Sequence, residues 1–281
     1  MECYVTRGNF SRDKFECGIN SNGGSIEQIP FMRILGTRVH AVENPQVVEL
    51  MAHWIETDHQ RCHHVVNTGM HGIMEGHRDP EFKAILNAAD LFAPDGVLVL
   101  MIARLRGHSL RKSNTGPQLM WDFSEVAGHK GYRYFIFGDT EDTLQPLAEK
   151  LTEAFPGLKI VGLHSPPFRP LTSQENEAIV AAINEAHPDV LWVGLGAPKQ
   201  ERWISEHRHR LNATVVVGVG AAFKFHSGKV ERAPTWLRNW GFEWLWRLLR
   251  EPKRVWRRVF VDAPQFISLA ALELSGLKKF D

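Results

Sequence analysis

Cysteine is scarce in this chain: three in 281 residues (Cys3, Cys17 and Cys62), with no C-x-x-C pair. So sparse and odd a set argues against a disulfide framework and suits a reducing compartment. Net charge is nearly absent too. The 33 Lys/Arg stand against 32 Asp/Glu, so the chain as a whole has no electrostatic bias toward nucleic acid. The opening residues, MECYVTRGNF, lack the basic-then-apolar run of a secretory signal. The longest clean apolar run, Val97–Ala103, is far short of the roughly 20 residues needed to span a bilayer. Together these set the expectation of a cytoplasmic protein that can still lie on the inner face of a membrane. Two phosphate-binding signatures are missing as well. No G-x-x-x-x-G-K-[ST] loop occurs, and Gly218-Val219-Gly220 is followed by Phe223 where a dinucleotide fingerprint needs its third glycine.

What is present is ordinary globular composition, 43% hydrophobic and 23% charged. Residues 1–30 are polar and read as a mobile tail. From Phe31 to about 230, short apolar runs alternate with helical patterns. Strands are expected at His64–Asn67, Leu91–Ala93, Tyr132–Phe137, Lys159–Leu163, Val190–Gly194 and Thr214–Gly218. Helices are expected at Asn44–Thr57, Pro80–Ala89, Gln118–His129, Glu141–Phe155, Ser173–His187 and Lys199–Leu211. Such alternation predicts an α/β fold, a mostly parallel Rossmann-like sheet flanked by helices. Residues 231–281 differ. They hold five of the nine tryptophans, and ten Lys/Arg against six Asp/Glu. Trp236, Trp240, Trp244, Leu248 and neighbours recur at helical spacing, which makes this segment a basic, Trp-rich helical appendage.

In an open α/β sheet, ligands bind beyond the carboxyl ends of the strands. The first candidates are therefore Asn67, Thr68, Asp95, Gly138, Asp139, His164, Gly196 to Gln200, and Gly220. Asp95 stands in Pro94-Asp95-Gly96, a strong turn sequence, and equally where a general base would face a cleft. Gly194-Leu195-Gly196-Ala197-Pro198-Lys199-Gln200 joins a strand to a helix start, either as a tight turn or as a set of N–H groups for a phosphate. Asp139-Thr140-Glu141-Asp142 offers carboxylates for a divalent cation, but helix capping explains it better. Cys62-His63-His64 lacks a second ligand pair, and His207 and His209 point to different sides of a helix. No metal site is expected.

Taken together, the motifs resemble the WecG/TagA/CpsF family of bacterial glycosyltransferases. The likeness covers Phe31 to Phe260. It runs through Asp79-Pro80-Glu81-Phe82, Pro94-Asp95-Gly96, Thr115-Gly116 and Gly131-Tyr132-Arg133 to Val193–Glu201 with Trp203. It continues through Gly218–Phe223, Arg232-Ala233-Pro234-Thr235-Trp236, Gly241-Phe242-Glu243-Trp244 and Glu251-Pro252-Lys253-Arg254. The resemblance implies inverting transfer of a hexose, such as N-acetylmannosamine, from a UDP-sugar to a saccharide on a polyprenyl diphosphate, without a required metal. It implies Asp95 as the base, and Arg247, Arg254 and Arg257, with Arg232, as the residues that meet the acceptor diphosphate at the membrane. Asn67, Thr68, Gly138, Gly196, Lys199, Gln200 and Gly220 are the expected donor-side residues. The chain departs from the family at two places. Asn67-Thr68-Gly69-Met70-His71 replaces Thr-x-Asn-x-Glu, and Ser113–Gln118 replaces Arg-Val-x-Gly-x-Asp. The competing reading is a non-catalytic module whose tail binds lipid or single-stranded nucleic acid. The enzyme reading includes no nucleic-acid partner and leaves homo-oligomerisation open.

Overall fold

The computed structural model describes residues 29–231, 233–234, 243–250 and 252–280. The expected N-terminal tail lies almost wholly outside them. A hairpin comes first, β1 (Phe31–Ile34) and β2 (Thr37–His40), paired antiparallel. Its two-residue turn places both Leu35 and Gly36 at positive φ, the geometry that matches the twist of paired strands. Helix α1 (Asn44–Thr57) leads into β3 (His63–Thr68), α2 (Met70–Arg78), α3 (Pro80–Ala88) and β4 (Leu91–Pro94). Next come α4 (Val97–Leu105), α5 (Gly116–Lys130), β5 (Arg133–Gly138), α6 (Glu141–Ala154), β6 (Lys159–His164) and α7 (Ser173–Ala186). The body closes with β7 (Val190–Gly194), α8 (Lys199–His207), β8 (Val215–Gly218) and α9 (Ala222–His226). Beyond it lie α10 (Glu243–Arg250), α11 (Pro252–Arg257), a π-helical segment Arg258–Asp262, and α12 (Ala263–Leu274).

The main sheet has six strands in the order β4-β3-β8-β7-β5-β6, every pair parallel. Strand residues alternate between its two faces. Val65, Tyr134, Ile136, Val190, Trp192, Val215 and Val217 pack under α1, α5 and α6. Phe135, Phe137, Leu191, Val193 and Val216 face α7 and α8. A sheet covered on both faces needs apolar residues at both parities, which is why its strands read as nearly continuous apolar runs. The β3–β4 end carries a further cluster, in which Val66 and Phe92 meet α2, α3, α4 and the hairpin. Phe266 and Ala270 of α12 complete it, so the C-terminal helix is packed onto the body. Glu273 secures that packing. Its carboxylate accepts from the Leu35 N–H at 3.1 Å and pairs with Arg106 at 2.7 Å.

Start signals work as chemistry requires. The Asp79 carboxylate accepts from the Glu81 and Phe82 amides, and Pro80 opens α3. Pro198, by contrast, precedes α8 and does not form its first turn, and the Ala197–Pro198 peptide is cis. Among the described residues no helix is long and apolar enough to cross a membrane.

Candidate active site

Four loops meet beyond the carboxyl ends of β3, β4 and β8. The Asp95 amide donates to the Thr68 carbonyl at 3.0 Å, which carries the β3–β4 pairing one residue past the strands. Gly69 makes this approach feasible, because a Cβ there would fall 2.2 Å from the Asp95 carbonyl oxygen. The partly exposed Asp95 side chain is held from the other direction. The Ser113 hydroxyl donates to its Oδ1 at 3.0 Å and accepts from the Gly96 amide at 2.6 Å. Next to it, Asn114 donates its amide N–H to the Pro94 carbonyl and its side chain to the Val42 carbonyl. Asn67 in turn donates Nδ2 to the Asn114 carbonyl at 2.9 Å. Gly116 fits between Asn67 Oδ1 and the Val219 carbonyl, each about as close to its Cβ position as a real Cβ would tolerate. Asp95 is therefore fixed by its neighbours before any substrate arrives, the condition for an efficient base.

The loops after β7 and β8 form the second half. Both are tied to Gln200. Its Oε1 accepts from the amides of Gly196 and Gly220, each at 3.1 Å, and its Nε2 donates to Glu201 Oε1 at 2.8 Å. Gln200 is only 2% exposed. Gln200, expected on the donor side together with Lys199 and the amides after Gly196, thus has its side chain turned inward onto the Gly196 and Gly220 amides. Their hydrogen-bonding groups satisfy one another, and the amide side chain shapes the cradle from behind. Gly196 and Gly220 both take positive φ, which these two loop bends require. Lys199 is exposed at the start of α8. Glu201 is fully buried, its Oε2 has no hydrogen-bond partner among the described residues, and burial pushes its carboxyl up to about 7.

Thr68 is buried with its side chain against α2, so that a Cβ at Gly72 would collide with it. Gly138 ends β5 against Gly194, too tightly for any Cβ. Asp139 accepts from the Thr140 amide and the Thr143 hydroxyl, and its Oδ2 lies 3.9 Å from Lys224. It thus braces the start of α6, while Thr140, at the N-cap, makes no side-chain cap. Among the described residues no three His, Cys, Asp or Glu side chains gather as a metal-ligand set.

A cavity of about 320 Å³ opens between α2 and the C-terminal helices, lined by His71, Glu75, Arg78, Arg257, Arg258 and Asp262. One of its lining residues, His71, follows Gly69 by two positions in the chain. Arg78 pairs with Asp262 at 2.5 Å. Burial, aided first by the Arg258 charge, lowers His71 to about 4, so its imidazole is neutral at pH 7. Of the tail arginines expected to reach the cleft, Arg257 lines this cavity. Arg232 and the side chains of Arg247 and Arg254 lie outside the described residues. Sequence reasoning named Ser113, Asn114 and His71 only within the two stretches that depart from the family pattern, without their hydrogen bonds, and did not single out Arg78 or Asp262. That departure was the available signal. Nothing local marks Asp262, 184 residues from its partner Arg78.

Comparison with known proteins agrees with this architecture. The profile of the Glycosyl transferase WecG/TagA/CpsF family matches residues 32–279. An N-acetylglucosaminyldiphosphoundecaprenol N-acetyl-beta-D-mannosaminyltransferase of Bacillus spizizenii is 31% identical over 194 residues, 69% of this chain and 73% of that protein. The Bacillus subtilis protein of the same name is 30% identical over 203 residues, covering 72% of this chain and 77% of its own length. A Staphylococcus aureus counterpart is 28% identical over 176 residues, 63% of this chain and 67% of its own.

Proposed function

Since this chain belongs to the WecG/TagA/CpsF glycosyltransferase family, we propose that it moves N-acetylmannosamine or a closely related hexose from a UDP-sugar to a saccharide on a polyprenyl diphosphate, in the synthesis of a cell-envelope polysaccharide. The acceptor class and sugar follow the names of its relatives. The observation that carries the reading is Asp95, fixed by Ser113 at the carboxyl end of β4, with one oxygen placed by that hydrogen bond and the side chain partly open to solvent.

In this reading Asp95 takes the proton of an acceptor hydroxyl as that oxygen attacks the anomeric carbon. The bond to the UDP oxygen breaks on the opposite face, and configuration inverts. General-base assistance of this kind contributes typically about 10²–10⁴-fold. Ser113 is a positioning residue, since its hydrogen bond to Oδ1 fixes the orientation of the Asp95 carboxylate. The departing diphosphate gathers negative charge, which the exposed Lys199 at the start of α8 is suited to balance. Asn67, Thr68, Gly138, Gly196, Gln200 and Gly220 set the shape of the donor cradle. The acceptor's own diphosphate falls to the arginine-lined cavity, with Arg257 a contact and Arg232, Arg247 and Arg254 its proposed companions. The reaction takes place at the cytoplasmic membrane surface.

The test is Asp95→Asn, assayed with UDP-N-acetylmannosamine and an N-acetylglucosaminyl diphosphate lipid, beside calorimetric UDP binding. UDP affinity and melting temperature should be retained while turnover drops by at least about 10²-fold. A folded variant with near-normal turnover removes Asp95 from the mechanism.

A further inference from the structure

Helix α4 leaves the site directly, since its N-cap, Gly96, follows Asp95. Its nine residues, VLVLMIARL, contain one charge. Val99, Leu100, Ile102 and Ala103 are buried against the hairpin cluster. A helix at the surface should be polar on the opposite side. Here that side carries Val97, 42% exposed, Met101, 51%, and Leu105, 71%. They recur every four residues and so form one stripe.

The surroundings of the stripe are basic. Arg104 turns back and donates to the carbonyls of Leu110 and Arg111, which holds the following loop alongside the helix. That loop carries the exposed Arg111 and Lys112 and ends at Ser113, the residue bonded to Asp95. At the far end of α4, Arg106 reaches Glu273 of α12, a helix that exposes Ile267 and Leu274 and is followed by exposed Lys278 and Lys279. An apolar stripe edged by Lys and Arg matches an anionic lipid surface, with aliphatic groups entering the acyl boundary and cations remaining among the phosphates. At 1.5 Å per residue α4 is about 13 Å long, so it can lie in the interface but not cross it.

We propose that Val97, Met101 and Leu105 form a membrane contact for an anionic bilayer, and that this contact sets Asp95 at headgroup depth. The consequence for catalysis rests on the reading that the acceptor is a lipid-linked diphosphate, whose reacting sugar lies at that depth. The stripe itself lies on α4, ahead of β5 in the chain and outside residues 231–281.

The test uses the full chain with Met101→Gln and Leu105→Gln together, substitutions that keep helix propensity at two exposed positions. Binding to phosphatidylglycerol/phosphatidylethanolamine vesicles is measured by flotation, and transfer is measured to a polyprenyl acceptor in those vesicles and to a water-soluble short-chain acceptor. Vesicle binding and vesicle-borne transfer should each fall at least about tenfold, because apolar groups that leave water on docking are gone. Transfer to the soluble acceptor should hold. A second variant, Met101→Trp, enlarges the stripe and should bind vesicles more tightly. Unchanged vesicle binding by both variants overturns the proposal. So does wild-type self-association in sedimentation that the double variant abolishes while vesicle binding stays intact, which would assign the stripe to a second copy of the chain. If the wild type transfers to neither acceptor, the functional reading fails, and the vesicle measurements still decide the contact.

Discussion

Replacing Glu201 by Gln should stabilise this protein in alkaline solution and leave it nearly unchanged in mild acid. The carboxyl is fully buried, receives one hydrogen bond from Gln200, and is pushed by burial from its ordinary 4.5 to about 7. In the unfolded chain it titrates near the ordinary value. Between the two, the folded protein keeps a proton that the unfolded chain has lost, so each rise in pH favours unfolding. The slope approaches about 1.4 kcal/mol per pH unit over roughly 2.5 units, about 3 kcal/mol in total. Below pH 4.5 the effect is absent, and above pH 7 it is complete. A glutamine never ionises and escapes it, while its Oε1 can still accept from Gln200. Urea unfolding of both proteins at pH 5, 6, 7 and 8 measures the difference, and titrations common to both cancel. The variant's advantage should be small at pH 5 and reach about 3 kcal/mol by pH 8. A difference that stays flat across this range would refute the reasoning, since Glu201 would then be ionised in the folded and unfolded states alike.

Two further substitutions probe the site's scaffolding. Gly69→Ala drives a methyl into the Asp95 carbonyl, and either the β3–α2 turn or the end of β4 must yield. With circular dichroism unchanged, turnover should drop by about 10²-fold, the scale of a reacting group displaced by an ångström, and normal turnover would show that this spacing is dispensable. Gln200→Ala strips the acceptor from the Gly196 and Gly220 amides and the donor from Glu201, at about 1–3 kcal/mol for each buried group left unpaired. Melting temperature should fall and the donor KM rise, and no change in either would mean that the loops hold themselves.

The six strands of the main sheet were legible to within about a residue at each end, because a sheet buried on both faces announces itself as apolar runs. Val190–Gly194 matches its expected bounds. Among the elements that were not legible, three have a clear physical reason. The hairpin has four-residue strands, and its turn carries Leu35 at positive φ, where glycine or asparagine is the usual signal. Helix α2, MHGIMEGHR, has two glycines in nine residues and owes its form to packing of Ile73 and Met74. The run Val97–Ala103 was evident as apolar but not as a helix, since its apolar residues cover every side and leave no period to detect. In the site, Asp95 could be picked out by its place after a strand. The inward role of Gln200 could not, because the same glycine-flanked pattern serves an open phosphate cradle and one closed by its own side chain.

The bridges around Asp95 have a consequence for the order in which the protein acquires activity. Asn67 meets Asn114 across 47 residues, and β3, which carries Asn67, obtains its second neighbour only when β8 arrives about 150 residues later. The Val219 carbonyl that confines Gly116 comes later still. Contacts of such long sequence separation form late, since chain entropy opposes them until most of the sheet exists. A chain emerging from the ribosome therefore carries Asp95 through 124 further residues before the Val219 carbonyl that completes these surroundings exists. Competence comes nearly all at once, when the last strand slots into the middle of the sheet and not at its rim.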